Sequence, residues 1–199
     1  MTILHQTIPS KTGKLEDIPS LNTSVLNNSF CSKLRNTESV CKKCYAATME
    51  KMYANLHIAI AKNDDILSKK DLLPQQIPTT NSLYYRFNAF GELINEQHLH
   101  NFNLISLNNP KTTFTLWTKR KDIIARYYKT HDIPNNFLLV FSSTVVGKIE
   151  KLPKYFNKVF TAHSKKQAAD TNINCFGKCK DCLLCYTKND ITFINEILK

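Results

Sequence analysis

Seven cysteines fall into two tight groups near opposite ends of the 199-residue chain. Cys31, Cys41 and Cys44 are spaced C-x9-C-x2-C, and Cys175, Cys179, Cys182 and Cys185 are spaced C-x3-C-x2-C-x2-C. Four thiols within eleven residues do not read as a disulfide framework, and an odd total leaves an orphan in any such scheme. Such a group suits the wrapping of a metal ion or an iron–sulfur cluster by thiolates. The contiguous terminal run resembles ferredoxin-type wrapping of a [4Fe–4S] cluster, with a different order of gaps, whereas zinc sites more often use two separated pairs. Gly177 helps the backbone turn tightly inside the run. Ligation by all four thiols closes a centre to substrate. That points to structure or electron transfer, and metal ligation of this kind contributes on the order of 10 kcal/mol to folding.

The first group differs. Cys41-Lys42-Lys43-Cys44 runs into a predicted helix whose positive end, with the two lysines, favours thiolates. Cys31 is close enough in sequence for a loop to bring it back, which gives three ligands from one segment. Three thiolates on a four-iron cluster leave one iron open, and three on zinc leave a position for water or a fourth protein ligand. Two other arrangements fit the spacing: a zinc ribbon of Cys41, Cys44, Cys182 and Cys185, or Cys31 as an unrelated buried thiol. A thioredoxin-like redox pair would follow a strand directly, and Ser32–Val40 does not read as one.

The elements that position these groups alternate between strand and helix patterns. Residues 1–30 are polar and irregular, with a disordered tail expected over residues 1–10. Met49, Met52, Tyr53, Leu56 and Ile60 form one amphipathic helical stripe with the methionines in the core. Ser82–Phe90 predicts a strand, Asn95–Leu107 a helix with Asn95 as N-cap, Thr112–Thr118 a strand and Lys121–Tyr128 a helix. Phe137–Ser143 predicts a strand, Ile149–Phe156 a short helix, Lys158–His163 a strand and Asp190–Leu198 a last helix. This alternation predicts an α/β protein built of βαβ units: a partial (β/α) barrel or an open parallel sheet, with Cys-rich loops at both ends. The chain divides into the irregular segment 1–30, an α/β core with the first cysteine site over 31–170, and a C-terminal Cys-rich segment with a helix over 171–199.

In such folds chemistry gathers at the carboxyl ends of the strands. The polar residues there are Asn88, Gly91 and Glu92, then Lys119 and Arg120, then Ser143, then His163. Gly91 permits close backbone approach and Glu92 can pair with an ammonium, or the two form a turn and cap the following helix. His98 and His100 lie on different helix faces and make a poor joint site. Trp117, the single tryptophan, reads as a packing residue.

Several motifs together resemble the "gene product 88" domain of phages and mobile elements. They are the run Thr12-Gly-Lys-Leu-Glu-Asp-Ile-Pro-Ser-Leu21, Cys31, Cys41-Lys-Lys-Cys-Tyr-Ala46, Tyr85-Arg-Phe-Asn-Ala-Phe-Gly-Glu92, Phe114-Thr-Leu-Trp-Thr-Lys119 and the terminal cysteine run. The resemblance spans about residues 12–198. More distantly, Cys-x-x-Cys-Tyr-Ala followed by Phe90-Gly91-Glu92 resembles radical S-adenosylmethionine enzymes, although their usual first gap is three residues. That second resemblance implies an open-iron cluster on Cys31, Cys41 and Cys44, with S-adenosylmethionine contacted by Asn88, Gly91 and Glu92. It also implies an auxiliary cluster on the terminal thiols, substrate facing Lys119, Arg120, Ser143 and His163, and an electron donor.

Composition limits the partners. The net charge of +11 creates a field that attracts polyanions. The alternative reading is therefore a non-enzymatic protein, stabilised by zinc or an iron–sulfur cluster, that binds nucleic acid for a phage or plasmid. A phosphorylated substrate suits the same surface. No apolar run suggests a signal peptide or a membrane span, so the expected location is cytoplasmic, in the host cell for a phage-encoded protein.

Overall fold

A computed structural model of the chain describes residues 3–8 and 11–198. Its centre is a sheet of seven strands in sequence order: β1 (Gln6–Thr7), β2 (Ser20–Leu21), β3 (Tyr84–Phe87), β4 (Thr113–Thr118), β5 (Phe137–Ser142), β6 (Lys158–His163) and β7 (Phe193–Ile197). The β1–β2 pair is antiparallel and every later pair is parallel. The sheet is open and does not close into a barrel.

One face of the sheet is apolar and covered by helices. Tyr85, Phe87, Phe114, Leu116, Phe137, Leu139 and Phe141 alternate inward along β3–β5 and form the main core. They pack with Leu67, Leu99, Phe102, Ile105, Ile123 and Ile124 from α3 (Ala54–Lys69), α4 (Glu96–Leu107) and α5 (Lys121–Tyr127). Phe87 lies at the centre, stacked on Phe102 at 4.0 Å and on Phe114 at 5.0 Å between ring centroids. Asn95 caps α4 as its sequence predicts, its side chain accepting from the His98 amide.

Four sequence expectations are corrected. The predicted last helix is β7, whose backbone pairs with β6 from Val159↔Phe193 to His163↔Ile197. Residues 149–156 form no helix; Pro153 removes a donor and disfavours helical backbone at Leu152. The single stripe from Met49 to Ile60 is two helices, α2 (Tyr45–Met52) and α3, broken at Tyr53 (φ −119°, ψ 89°). Met52 and Tyr53 are exposed, and α2 instead buries Ala46, Ala47 and Glu50. Glu50 tolerates burial because Ser24 Oγ, the Val25 amide and His57 Nδ1 reach its carboxylate. Finally, the N-terminal stretch is partly ordered: Gln6–Thr7 form β1 and Leu4 joins the main core. Residues 1, 2, 9 and 10 of the expected tail lie outside the described residues.

The other face of the sheet carries Arg86, Thr115, Trp117, Val140, Phe160 and Ile194, in alternation with the main-core residues. No layer of long helices covers it. Ile18 and Leu15 pack there from the N-terminal segment, and Cys179, Leu183, Leu184, Cys185 and Tyr186 pack there from the C-terminal segment.

His98 is fully buried on α4, its Nδ1 accepting from the Ile94 amide at 3.3 Å and its ring edge-on to Phe102. Burial holds its pKa down to about 3 from the ordinary 6.5. Below pH 6.5 the unfolded chain takes up a proton that the folded chain refuses, so stability falls as pH drops from 6.5 toward about 3, by about 1.4 kcal/mol per unit. Urea unfolding at about pH 7 and pH 5 should show His98→Gln losing about 2 kcal/mol less than the parent chain. Equal losses would assign the acid sensitivity elsewhere.

Candidate metal-thiolate sites

The fold brings the first thiol group to the carboxyl edge of the sheet. Cys31 lies in α1 (Ser29–Arg35), Cys41 in the following turn and Cys44 at the N-cap of α2. Asn28 sets the position of Cys31, its Oδ1 accepting from the Phe30 and Cys31 amides at 3.0 and 3.1 Å. The Asn28 Nδ2 donates to the Glu92 carbonyl, which ties α1 to the segment beyond β3. The Val40 amide donates to Thr144 O at 2.9 Å and anchors the cysteine turn beyond β5. Each of the three thiols is half-buried. Burial pushes the Cys31 thiol far up, and the nearby Glu92, Cys41 and Cys44 push it the same way, with Lys119 opposing. Burial also raises Cys41, opposed first by Lys119. The three sulfurs, Glu92 and Lys119 therefore share one electrostatic neighbourhood.

Glu92 is buried and organises that edge. Its carboxylate accepts from Thr118 Oγ1, from the Lys119 amide at 2.7 Å and from the Leu93 amide at 2.8 Å. Three of the roughly four acceptor positions of a carboxylate are thus filled within the protein. Burial raises its pKa while Lys119 lowers it. The Lys119 ammonium donates to Ser142 Oγ at 2.8 Å, so β4 and β5 are linked at the same level. Gly91 has φ +88°, and a Cβ there would meet Thr23 Oγ1 at 2.2 Å and Thr23 O at 2.5 Å. Its missing side chain is used against Thr23. Asn88 ends β3 at φ 56°, is buried, and neither end of its amide has a partner among the described residues.

The remaining strand-end residues diverge. Arg120 pairs with Asp122, donates to Leu93 O and lies over the Phe30 ring. Ser143 Oγ turns into its own loop, within hydrogen-bonding distance of Val145 O, Lys148 O and Glu150 Oε1. His163 is buried, its Nε2 facing Asn195 Oδ1 at 3.0 Å. Of the residues singled out for substrate, only Lys119 stands beside the first thiols. Several of the basic residues have acidic partners: Lys69 with Asp65, Lys121 with Glu150, and Lys180 with Glu16 and Asp17.

The terminal thiols sit on the sheet face opposite the main helices. Cys175 forms an isolated bridge with Glu196 of β7, and α6 (Cys179–Cys182) carries two of the sulfurs. Thr115 Oγ1 donates to Cys185 O at 3.2 Å, and Lys14 O accepts from the Cys179 amide at 3.0 Å. All four cysteines line one narrow cavity of about 10 Å³ together with Trp117, Gly177, Leu183, Tyr186 and Ile194. Gly177 at φ 78° and Leu183 at φ 49° make the turns that fold the run around it. Burial raises the pKa of Cys175 and of Cys179, and pushes Cys185 up to about 12. Among the described residues no three His, Cys, Asp or Glu side chains are gathered closely enough to hold a single metal ion.

Three cations face this group. The Arg86 guanidinium lies over the Trp117 ring at 4.1 Å and is buried. Lys14, paired with Glu196 at 2.6 Å, approaches Trp117 and Phe160 and lowers the pKa of Cys175 and Cys179. Lys158 is buried at the start of β6, donating to Asn189 Oδ1 and Ile191 O; burial lowers its pKa and Cys185 opposes that. Sequence reasoning missed Arg86 and Lys158. The signal was present: a lone cation inside Tyr84-Tyr85-Arg86-Phe87 needs an anion or an aromatic face.

A family model described as gene product 88 matches residues 4–191. The chain belongs to the gene product 88 family. Comparisons with curated proteins and with solved structures each return no match. The match covers the chain from the N-terminal segment through the terminal cysteines. Among the described residues no helix is long and apolar enough to cross a membrane.

Gly91→Ala should lower the melting temperature of this gene product 88 protein by roughly 3–10 °C. A Cβ at positive φ against the Thr23 backbone costs about 1–3 kcal/mol, and each kcal/mol is worth about 2–4 °C at this size. An unchanged melting temperature would refute the Gly91–Thr23 constraint.

Proposed function

We propose that this protein binds iron–sulfur clusters: one at Cys175, Cys179, Cys182 and Cys185, and one with an open iron at Cys31, Cys41 and Cys44. The observation that carries the reading is the terminal site, where four thiols line one cavity and three cations face them. Raised thiol pKa values mean that the metal-free sulfurs are protonated at neutral pH, so loading must expel protons. Cations placed beforehand favour the thiolates that result. The cavity is narrow, so loading requires the thiols and the short helix α6 around it to rearrange. Zinc remains the competing occupant, but a contiguous run of four ligands suits a cluster better than the paired spacing of most zinc sites.

At the sheet edge the reading is a radical S-adenosylmethionine-type reaction. A three-thiolate cluster there would supply one electron at an iron with a free position. The protein's own groups then divide the remaining work. Asn88 has bonding capacity to spare and is the residue suited to hold a polar group of the cofactor. Glu92 keeps one acceptor position for an ammonium and fixes Lys119 through the Lys119 amide. Lys119 brings a positive charge beside the thiols and the substrate space.

Protein reconstituted anaerobically with iron and sulfide should be brown. Removing Cys179 and Cys182 should remove about four irons, and removing Cys41 and Cys44 should remove a separate set. With S-adenosylmethionine and a reductant, the intact protein should release 5′-deoxyadenosine, and the Cys41/Cys44 variant should not. Colourless protein holding stoichiometric zinc would defeat the cluster reading. Iron without 5′-deoxyadenosine would defeat only the enzyme.

A further inference from the structure

Arg86 is a buried cation without a carboxylate. It is 8% exposed, its Nε has no hydrogen-bond partner, and it is absent from the ion pairs among the described residues. A guanidinium in that position costs several kcal/mol unless an anion or an aromatic face compensates it, and the Trp117 ring supplies the second. Burial works against its charge, while Tyr186, Tyr45, Cys179 and Cys185 would each support it if ionised. Of these, Tyr186 is buried, which raises its hydroxyl and keeps it neutral near pH 7, and the Tyr45 hydroxyl donates to Ala89 O.

The geometry ties Arg86 to the terminal thiols by two routes. It stacks on Trp117, which lines the thiol cavity. It pairs in register with Thr115, whose hydroxyl holds the carbonyl of Cys185. A cluster or zinc ion held by four thiolates is a net anion, and it would lie on the face that carries Arg86.

We infer that Arg86 is the built-in counter-cation of the terminal metal–thiolate centre. It favours assembly of that centre, and it raises the reduction potential of a redox-active occupant, because a fixed positive charge stabilises the state with one more electron. This rests on metal binding at these thiols but not on the metal being iron. Arg86 is a positioning and charge-setting residue; it is not a ligand.

The test compares Arg86→Met and Arg86→Lys in full-length protein carrying Cys41→Ser and Cys44→Ser, so that only the terminal site reports. Metal-free Arg86→Met should melt at or above the parent, because an uncompensated buried charge is gone. The same variant should bind zinc at least tenfold more weakly, and Arg86→Lys should recover most of that loss. With iron and sulfide, Arg86→Met should shift the midpoint potential downward, about 59 mV for each tenfold change in a one-electron equilibrium. Unchanged zinc affinity in Arg86→Met would overturn the inference. So would a metal-free Arg86→Met that fails to fold, since Arg86 would then be structural. A parent that takes up neither metal at these thiols overturns both this inference and the cluster reading. Zinc uptake that depends on Arg86, without iron uptake, overturns the cluster reading alone.

Discussion

A parallel sheet has to be covered on both faces, and this one meets the requirement with two different materials. Helices α3, α4 and α5 cover one face with ordinary aliphatic and aromatic packing. A closed barrel would cover the other face with its own far strands. Here the strands stop at seven, and a cysteine-rich segment folds back to do the covering. Cys179 and Cys185 are consequently core residues and candidate ligands at once. With their protons they pack as small apolar side chains. Without them they are anions facing Arg86, Lys14 and Lys158. The same segment therefore has two electrostatic states, and the sheet supplies charges suited to the second.

The sheet edge follows a different logic. Glu92 is the buried group on which several local positions depend. Its carboxylate collects the Thr118 hydroxyl and the Lys119 and Leu93 amides, and its carbonyl receives Asn28, which also caps the helix carrying Cys31. One residue thus sets the ends of β3 and β4 and the approach of the first thiol. Gly91 makes this arrangement reachable by letting the chain pass against Thr23.

The central strands and helices were legible in the sequence because their signals are local. β4, β5, β6, α4 and α5 each carry several apolar residues at the right period, and Asn95 marks its helix start. The last strand was not legible. Ile191, Ile194, Ile197 and Leu198 recur at near-helical spacing, and only pairing with a partner more than thirty residues away makes this segment a strand. The break between α2 and α3 was hidden for a similar reason. The stripe through Met52 and Tyr53 is periodic, yet the helix turns its alanines and Glu50 inward because Ser24 and Val25 offer Glu50 hydrogen bonds. At the sites, spacing identified the thiols but not their charge partners. Arg86 and Lys158 belong to strands, and their relation to the terminal cysteines exists only after the chain has folded.

The two thiol groups differ in enclosure and in the charged groups beside them. The terminal group contains two buried cysteines and faces three cations, one of them offset by Glu196. The first group is half-buried throughout, and the buried carboxylate of Glu92 works against Lys119 beside it. Local charge and exposure are among the protein's means of setting the potential of a thiolate-bound iron centre. A cationic surrounding favours the reduced form and a nearby carboxylate disfavours it. Iron centres at these two positions would therefore differ in potential for reasons contained in the chain itself, with the stronger reductant at the sheet edge. Tyr45 feels both Cys44 of the first group and the Arg86 and Lys14 charges beside the terminal group. The fold thus sets the buried carboxylate of Glu92 beside the half-buried thiols and the buried guanidinium of Arg86 beside the enclosed ones.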